Sequence, residues 1–142
     1  MKMDISDKRR RKRFVDQLTE LIKANPKLAS CRFRVEDYFE PLLHQVICKR
    51  PPLHLVELIY AYNPGAASEK GFEGYTLLHD ALLCHNSKDV IEFLVKQEPL
   101  SLQARPFPPL FCATDHETDF EILELLVKKY PDALCSCDYA AV

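Results

Sequence analysis

Three prolines, Pro64, Pro99 and Pro131, each stand 23 residues after the start of a shared phrase: "PLLHQV" at 41, "TLLHDA" at 76 and "PPLFCA" at 108. The segments joining these units differ in length, so the equal interval belongs to the unit itself. Before each proline lies a second shared phrase, "ELIYAYNP" (57–64), "EFLVKQEP" (92–99) or "ELLVKKYP" (124–131), and "TELIKANP" (19–26) is a fourth copy. Apolar residues recur in these phrases at helical spacing, as in Leu55, Val56, Leu58 and Ile59 or Ile122, Leu123, Leu125, Leu126 and Val127. Proline closes each helix because it has no backbone N–H and its ring clashes with the preceding turn. The unit is therefore a short helix, a turn, a longer helix and a loop, with periods of 35 and 32 residues. A chain built this way stacks as a solenoid.

The most explicit unit is Thr76-Leu77-Leu78-His79-Asp80-Ala81, with Gly74 two residues before it. It resembles the Gly-x-Thr-Pro-Leu-His-x-Ala signature of ankyrin repeats, in the long-helix variety seen in many protist proteins. The resemblance implies an all-α, helical-pair solenoid of about three ankyrin-like repeats, over residues 36–70, 71–103 and 104–134. A half-repeat helix over 14–25 would cap the N-terminal side of a domain running from 14 to 142. The chain departs from the signature at several places: Leu77 and Leu42 replace its proline, Pro41 and Pro108 its threonine, and Phe111 its histidine. The tetratricopeptide pattern is absent, and the chain has no tryptophan.

Thr76 can cap the first turn of its helix, and His79, three residues later, lies over that cap. His44 holds the equivalent place one repeat earlier. Repetition of a histidine points to a structural role for Thr76, His79 and His44, since a general base needs a unique partner at a defined distance. On sequence alone, His79→Ala is expected to destabilise more than His44→Ala, because only the middle repeat keeps both threonine and histidine.

Charge divides the chain unevenly. Residues 1–13 carry seven Lys/Arg against Asp4 and Asp7, a balance of +5, while residues 14–142 balance at −7. The run Lys8, Arg9, Arg10, Arg11, Lys12 and Arg13 is expected to be a disordered arm over 1–13, because like neighbours repel. It suits an import receptor, nucleic acid or another anion, or simple solvation. Behind it, Phe14, Leu18, Leu21 and Ile22 are expected to form a docking face.

No apolar stretch follows the basic start, as a secretory signal requires, and the longest uncharged run, 58–68, has 11 residues against the ~20 of a membrane span. An intracellular protein, cytoplasmic or nuclear, with reduced cysteines is the expectation. Three glycines leave no phosphate-cradling loop, and Gly-x-Ser-x-Gly and His-Glu-x-x-His are missing, so no catalytic residues, cofactor or small-molecule substrate are expected. Cys48, Cys84, His85, Cys112 and His116 fall on successive short helices, yet stacked elements about 10 Å apart do not gather zinc ligands. No metal site is expected.

By the resemblance, a protein partner would meet the concave face of the stack, a scaffold of the kind that works through Gln45, Cys48 and Lys49; Asp80, Leu83 and Cys84; Cys112, Asp115 and His116. Loop tips add Phe72, Glu73, Arg105 and Phe107. The segment after Pro131, "DALCSCDYAAV", is too short for another helical pair. The last helix is thus expected to be covered by a further repeat, a partner or a second copy. The competing reading is a nuclear regulator whose basic arm touches DNA, chromatin or import factors.

Overall fold

A computed structural model of the chain describes residues 4–71, 74–104, 108–115 and 117–132. The architecture is mostly helical: α1 (Ile5–Ala24), α2 (Leu42–Ile47), α3 (Leu53–Tyr62), α4 (Leu77–Leu83), α5 (Lys88–Gln97), α6 (Pro109–Asp115) and α7 (Phe120–Lys129). One antiparallel ribbon, β1 (Arg32–Val35) and β2 (Tyr38–Pro41), precedes α2 with Val35 opposite Tyr38.

Short and long helices alternate, and they pack in two layers. Each short helix packs on its own long one, α4 lies between α2 and α6, and α5 lies between α3 and α7. The buried side chains form one continuous core, in which Leu43, Ile47, Leu55, Ile59, Leu78, Leu82, Ile91 and Leu94 are essentially inaccessible. Between the long helices, Tyr60 and Phe93 meet edge to face at 5.4 Å, a geometry that adds to their area burial.

The helix ends repeat as the proline interval demands. The helices α1, α3, α5 and α7 stop two residues before Pro26, Pro64, Pro99 and Pro131. Their cap residues Asn25, Asn63, Glu98 and Tyr130 have φ of −141°, −147°, −129° and −144°. The reason is steric: the proline Cδ excludes the helical conformation from the residue before it. After α1, α3 and α5 the proline then opens a short 3-10 turn, over Pro26–Ser30, Pro64–Ala67 and Pro99–Gln103. Asn63 donates from Nδ2 to the Ala29 carbonyl at 3.0 Å, tying one such turn to the next.

The basic run is not a disordered arm, and the first helix does not wait for Phe14. Lys8 to Arg13 lie inside α1. Lysine and arginine are good helix formers, and the docked half of the helix supplies the stability that an isolated basic peptide lacks. The docking face is also rotated from the expected one. Val15 and Ile22 are buried and Leu18 half-buried, whereas Phe14 and Leu21 are 45% and 57% exposed. Two stripes with helical spacing overlap here, and the aliphatic one faces α3.

The turns between paired helices share one left-handed residue, Arg50, His85 or Glu117, at φ of 52°, 57° and 52°. The next residue differs, and the difference has a consequence. Asn86 donates from Nδ2 to the carbonyls of Ile47 and Ala81, at 2.9 and 3.2 Å, joining two successive units. Thr118 holds the same place in the last unit, its N–H donating to Ala113 as that of Asn86 does to Ala81. Its buried Oγ1 has no partner among the described residues, and a cavity of about 80 Å³ separates it from Leu82 and Asn86. Thr118→Asn places an amide within reach of the Leu82 and Ala113 carbonyls. It is expected to raise stability by about 1 kcal/mol, read as a higher urea midpoint with unchanged slope; a lower midpoint would mean that the units are not equivalent.

Candidate functional site

The short helices α2, α4 and α6 stand side by side, and their outward faces form a row of polar and sulfur-bearing side chains. Its centre is a link between units. His44 is completely buried, with Nε2 3.0 Å from the Ala66 carbonyl and Nδ1 3.1 Å from the Asp80 carboxylate. A carbonyl and a carboxylate can only accept, so both ring nitrogens donate and the imidazole carries its proton. Burial works against that charge. The hydrogen bond and charge of Asp80, with the Ala66 carbonyl and Glu40, outweigh it and hold the His44 pKa above its ordinary value. Gly71 closes over this ring, where an added Cβ would lie 3.4 Å from His44 Nδ1.

His79 does something different at the equivalent position. The Thr76 N–H donates to its Nδ1 at 3.1 Å, while the His79 N–H reaches Thr76 Oγ1 at 3.5 Å, a reciprocal cap on α4. An Nδ1 that accepts from a backbone amide is unprotonated, so this ring is the neutral tautomer, with its proton on Nε2. The Tyr75 ring stacks on it at 5.2 Å. In the first unit Pro41 stands at the cap with no side-chain bond, so His44 is free to turn toward the next unit. The order expected for the two alanine variants therefore changes, because His44 ties segments far apart in sequence.

Around this link the surface carries carboxylates, a phenol and thiols. The Tyr38 hydroxyl donates to Glu40 Oε1 at 2.9 Å, and Gln45 Nε2 donates to Glu40 Oε2. Burial and that hydrogen bond to Glu40 push the Tyr38 phenol up to about 12. Cys48 and Cys84 sit one helical turn beyond His44 and Asp80, and their thiols lie side by side, contrary to the wide separation expected between stacked elements. Although the Cys48 residue is exposed, desolvation of its thiol by the surrounding residues, then the neighbouring Cys84, push it up to about 12. Cys112 is buried rather than exposed, and burial followed by the charges of Asp115 and Asp80 raises its pKa. Thiols held protonated in this way are weak nucleophiles.

Of the residues singled out from the sequence, the structure brings Gln45, Asp80, Leu83 and Cys84 together as half-buried members of this row, with Lys49 and Asp115 more exposed. Asp80 is part of the internal link as well as of the surface. Phe72, Glu73, Arg105, Phe107 and His116 lie outside the described residues. Sequence reading missed Tyr38 and Glu40, which the ribbon delivers to the edge of the row; the alternation in "RFRVEDYFEP" was the available signal. Among the described residues, no three His, Cys, Asp or Glu side chains are grouped to hold a metal ion, and no helix is long and apolar enough to cross a membrane. Compared with known proteins, the chain matches no family model, no curated protein and no solved structure.

Proposed function

We propose that the chain is an ankyrin-like stack that binds a protein partner through the face of α2, α4 and α6, without catalysis of its own. The observation that carries this reading is the side-by-side packing of the three short helices, with polar, thiol and leucine side chains along one row. Its rigidity is supported by the buried His44–Asp80 link and the Thr76–His79 cap. Protonated thiols and a carboxylate committed to an internal bond suit a binding face better than a reacting one. Glu40, Asp80 and Asp115 along this row, with Leu83 among them, favour a partner segment that offers cations beside an apolar anchor.

The test is affinity capture from lysate followed by a measured affinity for the captured protein. Leu83→Arg/Asp115→Arg is expected to weaken that partner about tenfold or more while leaving the melting curve in place. Unchanged affinity in a folded double variant would sink the reading. A second reading, a nuclear regulator acting through the basic residues on DNA, chromatin or import factors, is favoured by the regular presentation of those residues on α1. It predicts binding that weakens steeply with salt and ignores Leu83→Arg/Asp115→Arg.

A further inference from the structure

The N-terminal half of α1 crosses the turns that join α2 to α3 and α4 to α5, and a cavity of about 660 Å³ lies between them. That volume is within the range of small-molecule sites, about 300–1,000 Å³. Lys8, Arg11 and Lys12 line it from α1, and Arg50, His54 and His85 line it from the turns and the start of α3. Positions 8, 11 and 12 share one face of a helix, while Arg9, Arg10 and Arg13 do not line the cavity.

Within the described residues, none of Lys8, Arg11, Lys12 and Arg50 belongs to an ion pair, although Asp16 and Asp119 stand on the rim. Four cations thus line one groove against two rim carboxylates, which leaves it net positive. The 10-residue helices α3 and α5 begin at the same place, and Pro52 and Ser87 at their starts line the groove, so their positive ends add to the same field. Outside residues 1–13 the chain balances at −7, which disfavours a long polyanion lying across the body.

We propose that this groove binds a compact polyphosphorylated ligand, carrying three or more phosphate charges, through Lys8, Arg11, Lys12 and Arg50. Two chemical sources share that recognition: a soluble oligophosphate or inositol polyphosphate, and the headgroup of a phosphorylated inositol lipid. The site is separate from the short-helix face and does not depend on it.

The test titrates the full chain with tripolyphosphate and with inositol hexakisphosphate by calorimetry, and measures flotation with phosphatidylcholine vesicles with and without phosphatidylinositol bisphosphate. Lys8→Gln/Arg11→Gln/Lys12→Gln is expected to weaken binding about tenfold or more. Arg9→Gln/Arg10→Gln/Arg13→Gln, with the same change in net charge, is expected to weaken it less than about threefold. Arg50→Gly supplies a second check. Its left-handed backbone favours glycine, so the variant should melt no lower than wild type and still bind more weakly. Groove-dependent binding of the soluble probes identifies a free ligand; groove-dependent binding to the charged vesicles alone identifies the lipid headgroup. Absence of binding to every probe, equal losses in the two triple variants, or tighter binding to duplex DNA than to the phosphate probes would overturn the proposal.

Discussion

His44→Ala is expected to lower the unfolding free energy by about 3 kcal/mol, a large share of the stability of a domain this size. The variant removes a buried hydrogen bond to the Ala66 carbonyl and a part-buried one to the charged Asp80, and leaves both acceptors without their donor. It also opens a hole at a position with no solvent exposure, and the surrounding helices cannot fully close it. The loss is expected to equal or exceed that of His79→Ala, whose ring caps its own helix.

The same link makes stability depend on pH in a definite direction. The folded-state pKa of His44 is raised above the ordinary histidine value of 6.5. The pair's stabilisation is therefore complete below the unfolded value and is lost as pH rises through the folded one. Urea midpoints of the wild type should fall across that window. Asp80→Asn should flatten this slope, because it removes the charge that retains the proton. A slope that survives in Asp80→Asn would assign the effect to another group.

Asn86→Ala carries the second large effect, about 2 kcal/mol. Its amide joins the end of α2 to the end of α4, donating to Ile47 and Ala81. The two carbonyls keep one other donor each, the N–H groups of Arg50 and of residue 86 itself. The cost is thus two lost bonds and a small cavity, rather than orphaned acceptors. Equilibrium urea unfolding checks it, and an effect below about 0.5 kcal/mol would mean that the side chain bridges nothing. Paired with Thr118→Asn, it tests whether one residue position decides how firmly each turn holds its neighbour.

The periodic parts of this fold were readable from the chain. Each long helix ends 21 residues after the start of its shared phrase, at Tyr62, Gln97 and Lys129, because a local steric rule acts at every proline. Thr76 and His79 were readable for the same reason: a cap is built from residues three apart. What escaped depends on contacts across distance. Like-charge repulsion in the basic run is a local argument, and it lost to helix propensity together with burial of Val15 and Ile22 against α3. The ribbon turns at Glu36, with φ of 54° and no glycine or asparagine to announce it. His44 looked like a copy of His79, yet its partners are the Ala66 carbonyl and Asp80, 22 and 36 residues away. The face of the short helices was located in outline, but the depth of each side chain was not: Asp80 turned inward, Cys112 is buried, and Cys48 met Cys84.

One measurement bears most directly on the claim that successive helical pairs are held in register by buried polar links. Nitrogen NMR of the histidine side chains, followed across pH, reports the protonation of each ring nitrogen. The fold described here predicts that both nitrogens of His44 stay protonated past the ordinary titration of an imidazole, with cross-relaxation from its ring to Asp80 and Ala66, while His79 keeps an unprotonated Nδ1. A His44 that titrates near 6.5, with no contact to Asp80, would contradict the register and the stack built on it.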